Sequence, residues 1–227
     1  MDRHNLLVGV NGASASKPVK LSANTKTDIS RETSDPSEPA IRFSSPVLRV
    51  SMPTSSFRRA RLTFKCPNGY AENWDQAGFL FTWPSPELPS PDAANPGTED
   101  TAPHYVKAGI ENINGTPLGA FVANNGSLDF SALLLEEGEV EQGFTLEAIK
   151  YDFRLVIMLV RKRPDGKETK IPVRVIYWAL EGGSRHENLW VGVYASRPDA
   201  GSNKPGPLEV DILEFEVEDE HGTVNLV

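Results

Sequence analysis

The chain has 227 residues, a formal net charge of -8 and a single cysteine, Cys66. That length holds one large domain or two small ones and supports a core without disulfides or metals, while one cysteine excludes an intramolecular disulfide and fits a reducing compartment. The acidic balance repels phosphate backbones, so nucleic acid is not an expected partner, and no run has the length of a membrane-spanning helix.

From the N-terminus, Asp2 stands where a signal peptide carries positive charge, and the apolar stretch at 6–10 is too short for its hydrophobic core. The expected localisation is therefore cytoplasmic, with residues 1–24 as a flexible lead-in to a single domain over 25–227. Beyond it, apolar residues come in short runs broken by Gly, Pro, Asn and Asp, with no sustained helical period. This spacing predicts an all-β sandwich or barrel. Strands are expected over 45–52, 57–66, 76–83, 104–111, 117–123, 144–149, 153–162, 171–180, 188–196 and 208–218. The basic residues Arg58, Arg59 and Arg61, and the run Arg161 to Arg163, read as solvated strand ends or edges. Residues 84–103 are rich in Pro, Ser and acids and predict a surface loop, either a tolerated insertion or a flap over a neighbouring site. The sequons at Asn114 and Asn125 read as turns, Asp165-Gly166 predicts a hairpin, and 199–207 form another Gly/Pro loop.

Several segments in order carry a family resemblance: Lys26-Thr27-Asp28-Ile29, Trp74-Asp75-Gln76-Ala77-Gly78-Phe79, Tyr105 to Glu111, Asn112 to Gly115, Leu128-Asp129-Phe130-Ser131, and Leu189 to Ser196. The series resembles the DUF1349 family, and within it the fungal proteins related to the regulator of enolase, over roughly residues 25–218. The resemblance implies a concanavalin A-like jelly-roll β-sandwich of two antiparallel sheets with one concave face, and no settled chemistry. Two tryptophan positions of the family pattern hold Ser30 and Phe130 here, which weakens any transfer of a sugar-stacking role to them.

Strand alternation sorts the side chains. Val106, Ala108 and Ile110 point one way; Tyr105, Lys107 and Glu111 point the other, with Gly109 between. In 188–196, Leu189, Val191, Val193 and Ala195 oppose Trp190, Gly192, Tyr194 and Ser196. The expected ligand-binding patch on the concave face contains Trp74, Asp75, Gln76, Tyr105, Lys107, Glu111, Asp129, Trp178 and Trp190. Aromatic rings flanked by carboxylates and amides suit a sugar or another flat polar ligand. The competing structural reading makes Lys107 and Glu111 a same-face ion pair, and Trp178 and Trp190 part of the core.

Glu209, Asp211 and Glu214 match the E-x-D-x-x-E spacing of laminarinase-like hydrolases, whose retaining chemistry needs two carboxyls about 5 Å apart. Residues i and i+2 share a strand face, whereas i+5 joins them only across a bulge. The motif also falls in the last expected strand, inside an acidic tail, where chance placement is easy. The four histidines show no metal-ligand spacing, and no phosphate-loop or dinucleotide motif occurs, so no metal or cofactor is expected.

These readings point to a cytosolic, non-catalytic binding or regulatory protein. Its concave face would take a carbohydrate-like or small polar ligand, or a metabolic enzyme such as enolase. The alternative is a cofactor-independent glycan hydrolase or lyase, or an isomerase or cyclase of a small metabolite. Asp75, Lys107 and Glu111 would then be its acid/base candidates.

Overall fold

The computed structural model describes residues 7–31, 40–182, 186–199 and 206–227. Its strands are, in chain order, β1 (Val8–Val10), β2 (Lys20–Ala23), β3 (Ile29–Ser30), β4 (Arg42–Phe43), β5 (Val47–Pro53), β6 (Arg59–Lys65), β7 (Gln76–Trp83) and β8 (His104–Ile113). There follow β9 (Thr116–Asn124), β10 (Leu128–Leu134), the one-turn helix α1 (Glu139–Gln142), β11 (Phe144–Tyr151), β12 (Arg154–Lys162), β13 (Glu168–Ile176), β14 (Asn188–Ser196), β15 (Leu208–Asp219) and β16 (Gly222–Asn225). A front sheet runs β1-β5-β14-β7-β8-β9-β10, and a back sheet runs β13-β12-β11-β6-β15, where β15 also pairs with β2 and β16. The strand pairs within both sheets are antiparallel. The fold is a concanavalin A-like jelly roll.

Between the sheets lies a core of aliphatic and phenyl side chains. Phe79 of the front sheet meets Phe215 of the back sheet at 6.3 Å between ring centres, and Phe57 meets Phe81 edge-on at 5.8 Å. Such edge contacts add to the burial of large rings. Asn114 (φ 53°) and Gly115 (φ 81°) form the two-residue turn joining β8 to β9, the left-handed geometry that Asn-Gly favours. Gly166 (φ 80°) closes the β12–β13 hairpin, where the Lys167 amide donates to Asp165 Oδ1 at 3.0 Å.

Three sequence expectations are corrected. Residues 7–24 are not a loose lead-in: Val8 to Val10 pair with β5 and Lys20 to Ala23 with β15, and Val19, Leu21 and Ala23 are buried. Short strands at sheet edges carry too little pattern to stand out. Arg59 does stand at a strand end, the first residue of β6, but β6 is a central strand, and Arg59 and Arg61 are ion-paired rather than free in solvent. Arg59 reaches Glu147, Glu216 and Glu218 at 3.2, 3.0 and 3.0 Å, and Arg61 reaches Glu168 and Glu214 at 2.6 and 3.2 Å. The strand expected over 171–180 ends at Ile176. Of the Gly/Pro loop expected at 199–207, residues 200–205 lie outside the described residues.

The segment 84–103 is a loop without strands, fixed by buried Leu88 and Ala102 and by the Ala93 amide donating to Asn11 Oδ1 at 2.9 Å. Among the described residues no helix is long and apolar enough to cross a membrane.

Candidate functional site

The front sheet turns Leu48, Val50, Phe79, Phe81, Val106, Ala108, Val191 and Val193 into the core. Alternation then places Arg49, Gln76, Leu80, Tyr105, Lys107, Glu111, Trp190 and Tyr194 on its outer face. Cross-strand register assembles them into rows: Gln76 opposes Glu111, Leu80 opposes Lys107, and Thr82 stands between Trp190 and Tyr105.

The centre of this face is a buried polar network. Lys107 Nζ donates to Gln76 Oε1 at 2.7 Å and to the Ile29 carbonyl at 2.9 Å, with Asp28 Oδ1 at 3.9 Å. The Tyr194 hydroxyl donates to Gln76 Oε1 at 3.1 Å, and Gln76 Nε2 donates to Glu111 Oε1 at 3.4 Å. Burial pushes the Glu111 carboxyl above its ordinary range, an effect the Lys107 ammonium opposes and Asp28 reinforces. Burial likewise raises the Tyr194 phenol well above its ordinary value.

The chain's own β3–β4 ribbon covers this centre. Ile29 and Phe43 cluster with Leu80, Tyr105, Val122, Trp190 and Tyr194, and Phe43 meets Trp190 edge-on at 6.2 Å. Gly78 and Gly109 face each other across β7 and β8. A Cβ on Gly109 would lie 1.9 Å from the Ala77 carbonyl oxygen, so the two strands approach there more closely than any side chain allows.

Beside the covered centre the outer face opens into a groove of about 450 Å³. Its walls are Val8, Val10 and Asn11 on one side and residues 90–94 on the other, with Arg49 and Trp190 between. Arg49 lies opposite Gly192, whose missing side chain leaves space, and its guanidinium carbon sits 3.8 Å from the Trp190 ring centre. Asn11 holds the walls in place: Nδ2 donates to the carbonyls of Phe43 and Ser45 at 2.7 and 2.8 Å.

The nine residues expected to form the patch divide. Gln76, Tyr105, Lys107, Glu111 and Trp190 share the outer face. Asp75 does not offer an acid/base group. Fully buried, it receives both Arg197 Nε and Nη2 at 2.8 Å and the amides of Ala71 and Glu72 at 3.0 Å, so its lone pairs are taken. Trp74 stands on a left-handed turn (φ 67°) before β7 and is 43% exposed. Asp129 alternates away from this face and pairs with Arg174 of β13. Trp178 lies elsewhere, in a ring cluster with Trp83 at 5.1 Å, His104 at 5.9 Å and His186 at 5.5 Å.

The E-x-D-x-x-E residues sit on the back sheet. A bulge at Leu213 does bring Glu214 onto the face of Glu209 and Asp211, the condition that i+5 required. Each carboxylate is already engaged: Glu209 accepts from Ser22 at 2.6 Å, Asp211 pairs with Lys20 at 3.0 Å, and Glu214 accepts from Thr63 and Arg61 at 2.9 and 3.2 Å. Cys66 is buried, and desolvation pushes its thiol up to about 12. No cluster of three or more potential metal-ligating residues occurs among the described residues.

Sequence reasoning missed Arg49 and Asn11. The signal for Arg49 was present, as an arginine amid the apolar run Val47 to Val50, flanked by outward Val47 and Ser51.

A family model described as "Protein of unknown function (DUF1349)" matches residues 11–219. The chain belongs to the DUF1349 family. An uncharacterized protein of Emericella nidulans, AN7484, is 30% identical to this DUF1349 chain over 178 residues, covering 78% of the chain and 76% of its own length. A functionally unknown protein from Saccharomyces cerevisiae superposes with a TM-score of 0.65 at 24% identity, over 95% of this chain and 97% of that one. The Lotus tetragonolobus seed lectin follows with a TM-score of 0.52 at 12% identity, over 97% and 94% of the two chains. At these identities both structures speak to the DUF1349 fold.

Proposed function

We propose that this DUF1349 protein is a cytosolic, non-catalytic binding protein that takes a small carbohydrate-like or polar ligand in the groove beside Trp190. The observation that carries the reading is the groove itself, about 450 Å³ and open on the outer face of the front sheet. It joins apolar walls (Val8, Val10, Pro91) to a few fixed polar groups (Asn11, Arg49, Asp92), the composition of small-molecule sites. The non-catalytic part rests on the acid/base candidates. Asp75 is consumed by Arg197, Lys107 is buried against the Ile29 carbonyl of β3, and Glu111 is buried beside Gln76. A seed lectin on the same fold adds background, while the ligand class is argued from the groove.

The test is a thermal-shift titration of the full chain with neutral monosaccharides, sugar acids and sugar phosphates. A ligand that binds only the folded state raises the melting temperature saturably. Ala94→Trp, which fills the exposed rim of the groove, then removes the shift. Absence of any shift, or a shift that survives Ala94→Trp in a folded protein, overturns the reading. A regulatory role with enolase as partner, implied by the family resemblance, is tested separately by pull-down with purified enolase.

A further inference from the structure

The groove holds a cation that pairs with no carboxylate among the described residues. Arg59, Arg61, Arg161, Arg174 and Arg197 each meet a carboxylate. Arg49 meets none among the described residues: its Nη1 donates to Ser51 Oγ, its Nε is buried without a hydrogen-bond partner, and its guanidinium lies over the Trp190 ring. Desolvation lowers its pKa, the direction expected for a charge removed from water without compensation. Leaving a buried donor unsatisfied is costly, and a guanidinium held over an indole is preorganised for a planar or tetrahedral oxyanion. Gly192 keeps this arrangement possible, since a Cβ there would stand 3.0 Å from the Arg49 Cβ and 2.7 Å from the Leu48 carbonyl oxygen.

The opposite wall adds a second requirement. Asp92 lines the groove, and its Oδ1 is occupied by the amides of Ala94 and Asn95 at 2.9 and 2.8 Å. Its other oxygen makes no hydrogen bond among the described residues. It suits a hydroxyl donor and repels a bare anion. Val8, Val10 and Pro91 provide apolar surface for a carbon ring between the two. The chain's net charge of -8 acts against anions at long range, but that field is screened beyond about 8 Å at physiological salt, so the contact at Arg49 governs binding.

We propose that the groove takes a small hydroxylated anion, a sugar bearing a carboxylate or a phosphate, with Arg49 as its counter-ion and Asp92 as acceptor for a ring hydroxyl. This rests on the groove being the binding site, and it names the ligand class for that site.

The experiment is calorimetric titration of the full chain with D-glucuronate, D-glucose 6-phosphate and D-glucose in parallel. The expected result is at least tenfold tighter binding of one or both anions than of glucose, and the tighter of the two distinguishes carboxylate from phosphate. Arg49→Gln then weakens the anions at least tenfold more than it weakens glucose. Should Arg49→Gln fail to fold, Ala94→Lys and Ala94→Glu take its place. They must move the anions in opposite directions, strengthening and weakening them respectively, by at least tenfold more than any change in glucose that the two variants share. Glucose binding as tightly as the anions, or anion affinity indifferent to these substitutions, overturns the ligand class and leaves the binding site standing. Failure of all three sugars to bind overturns both.

Discussion

Asp75 shows how a residue that looks chemical in sequence becomes structural in the fold. Its carboxylate joins the start of β7 to Arg197, just past the end of β14, and neither group reaches water: Asp75 is fully buried and Arg197 is 2% exposed. Removing one partner strands the other charge, which costs about 3–5 kcal/mol. Asp75→Asn is therefore expected to lower unfolding free energy by that amount in urea titrations. A loss below 1 kcal/mol would return Asp75 to the list of functional candidates. Glu111 behaves differently because burial raises its pKa above the ordinary 4.5. An acid raised in the folded state holds its proton more tightly there than in the unfolded chain. Its contribution is thus largest at low pH and declines as pH rises from 4.5 through the folded value. Relative to Glu111→Gln, the wild type should lose stability over that interval and change little above it. Denaturation of both proteins at a series of pH values reads the difference, and parallel curves would contradict it.

At the scale of elements, the front sheet depends on the close passage of β7 and β8 at the paired Gly78 and Gly109. Gly109→Ala places a methyl group 1.9 Å from the Ala77 oxygen and 2.7 Å from the Gly78 Cα, both backbone atoms that cannot step aside. Overpacking of this kind costs about 1–3 kcal/mol and sometimes more. Gly115→Ala is the control. There a methyl group meets nothing within 4 Å, and only the left-handed φ of 81° is strained, worth about 1–2 kcal/mol. Gly109→Ala should be the more destabilising of the two, and should also disturb the Lys107 network beside it. Long strands such as β7 and β14 were legible because their alternation runs for eight or nine residues. The strands β1 to β4 were not, since two to four residues carry no period, although β3 and β4 decide which part of the outer face stays open.

Over the whole molecule, the acidic composition proves to be organised. Glu214, Glu216 and Glu218 of β15 lie against Arg61 and Arg59 of β6, and Glu147 links Arg59 to Lys170. Runs of like charge in the sequence thus resolve into a mixed ladder drawn from four strands, β15, β6, β11 and β13. Networks of this kind are screened by salt, so raising sodium chloride toward 1 M should lower the melting temperature of the wild type more than that of an Arg59→Gln, Arg61→Gln variant. Equal sensitivity would mean that the ladder contributes little. The same architecture explains why the fold was readable and the site only in part. Face assignments followed from alternation within one strand, so Lys107, Glu111 and Trp190 fell together. Asp129 and Trp178 fell elsewhere, because which strands adjoin, and where β13 ends, depends on long-range pairing that local pattern does not encode.

Cys66 gives the protein a built-in clock for its own breathing. The thiol is enclosed at the end of β6 and held protonated to about pH 12, so an alkylating reagent meets no thiolate while the corner stays closed. Labelling then proceeds only through transient opening, and its rate at rising denaturant reports how often that part of the sandwich comes apart. Ligands that occupy the distant groove can be ranked by how far they slow this single-site reaction.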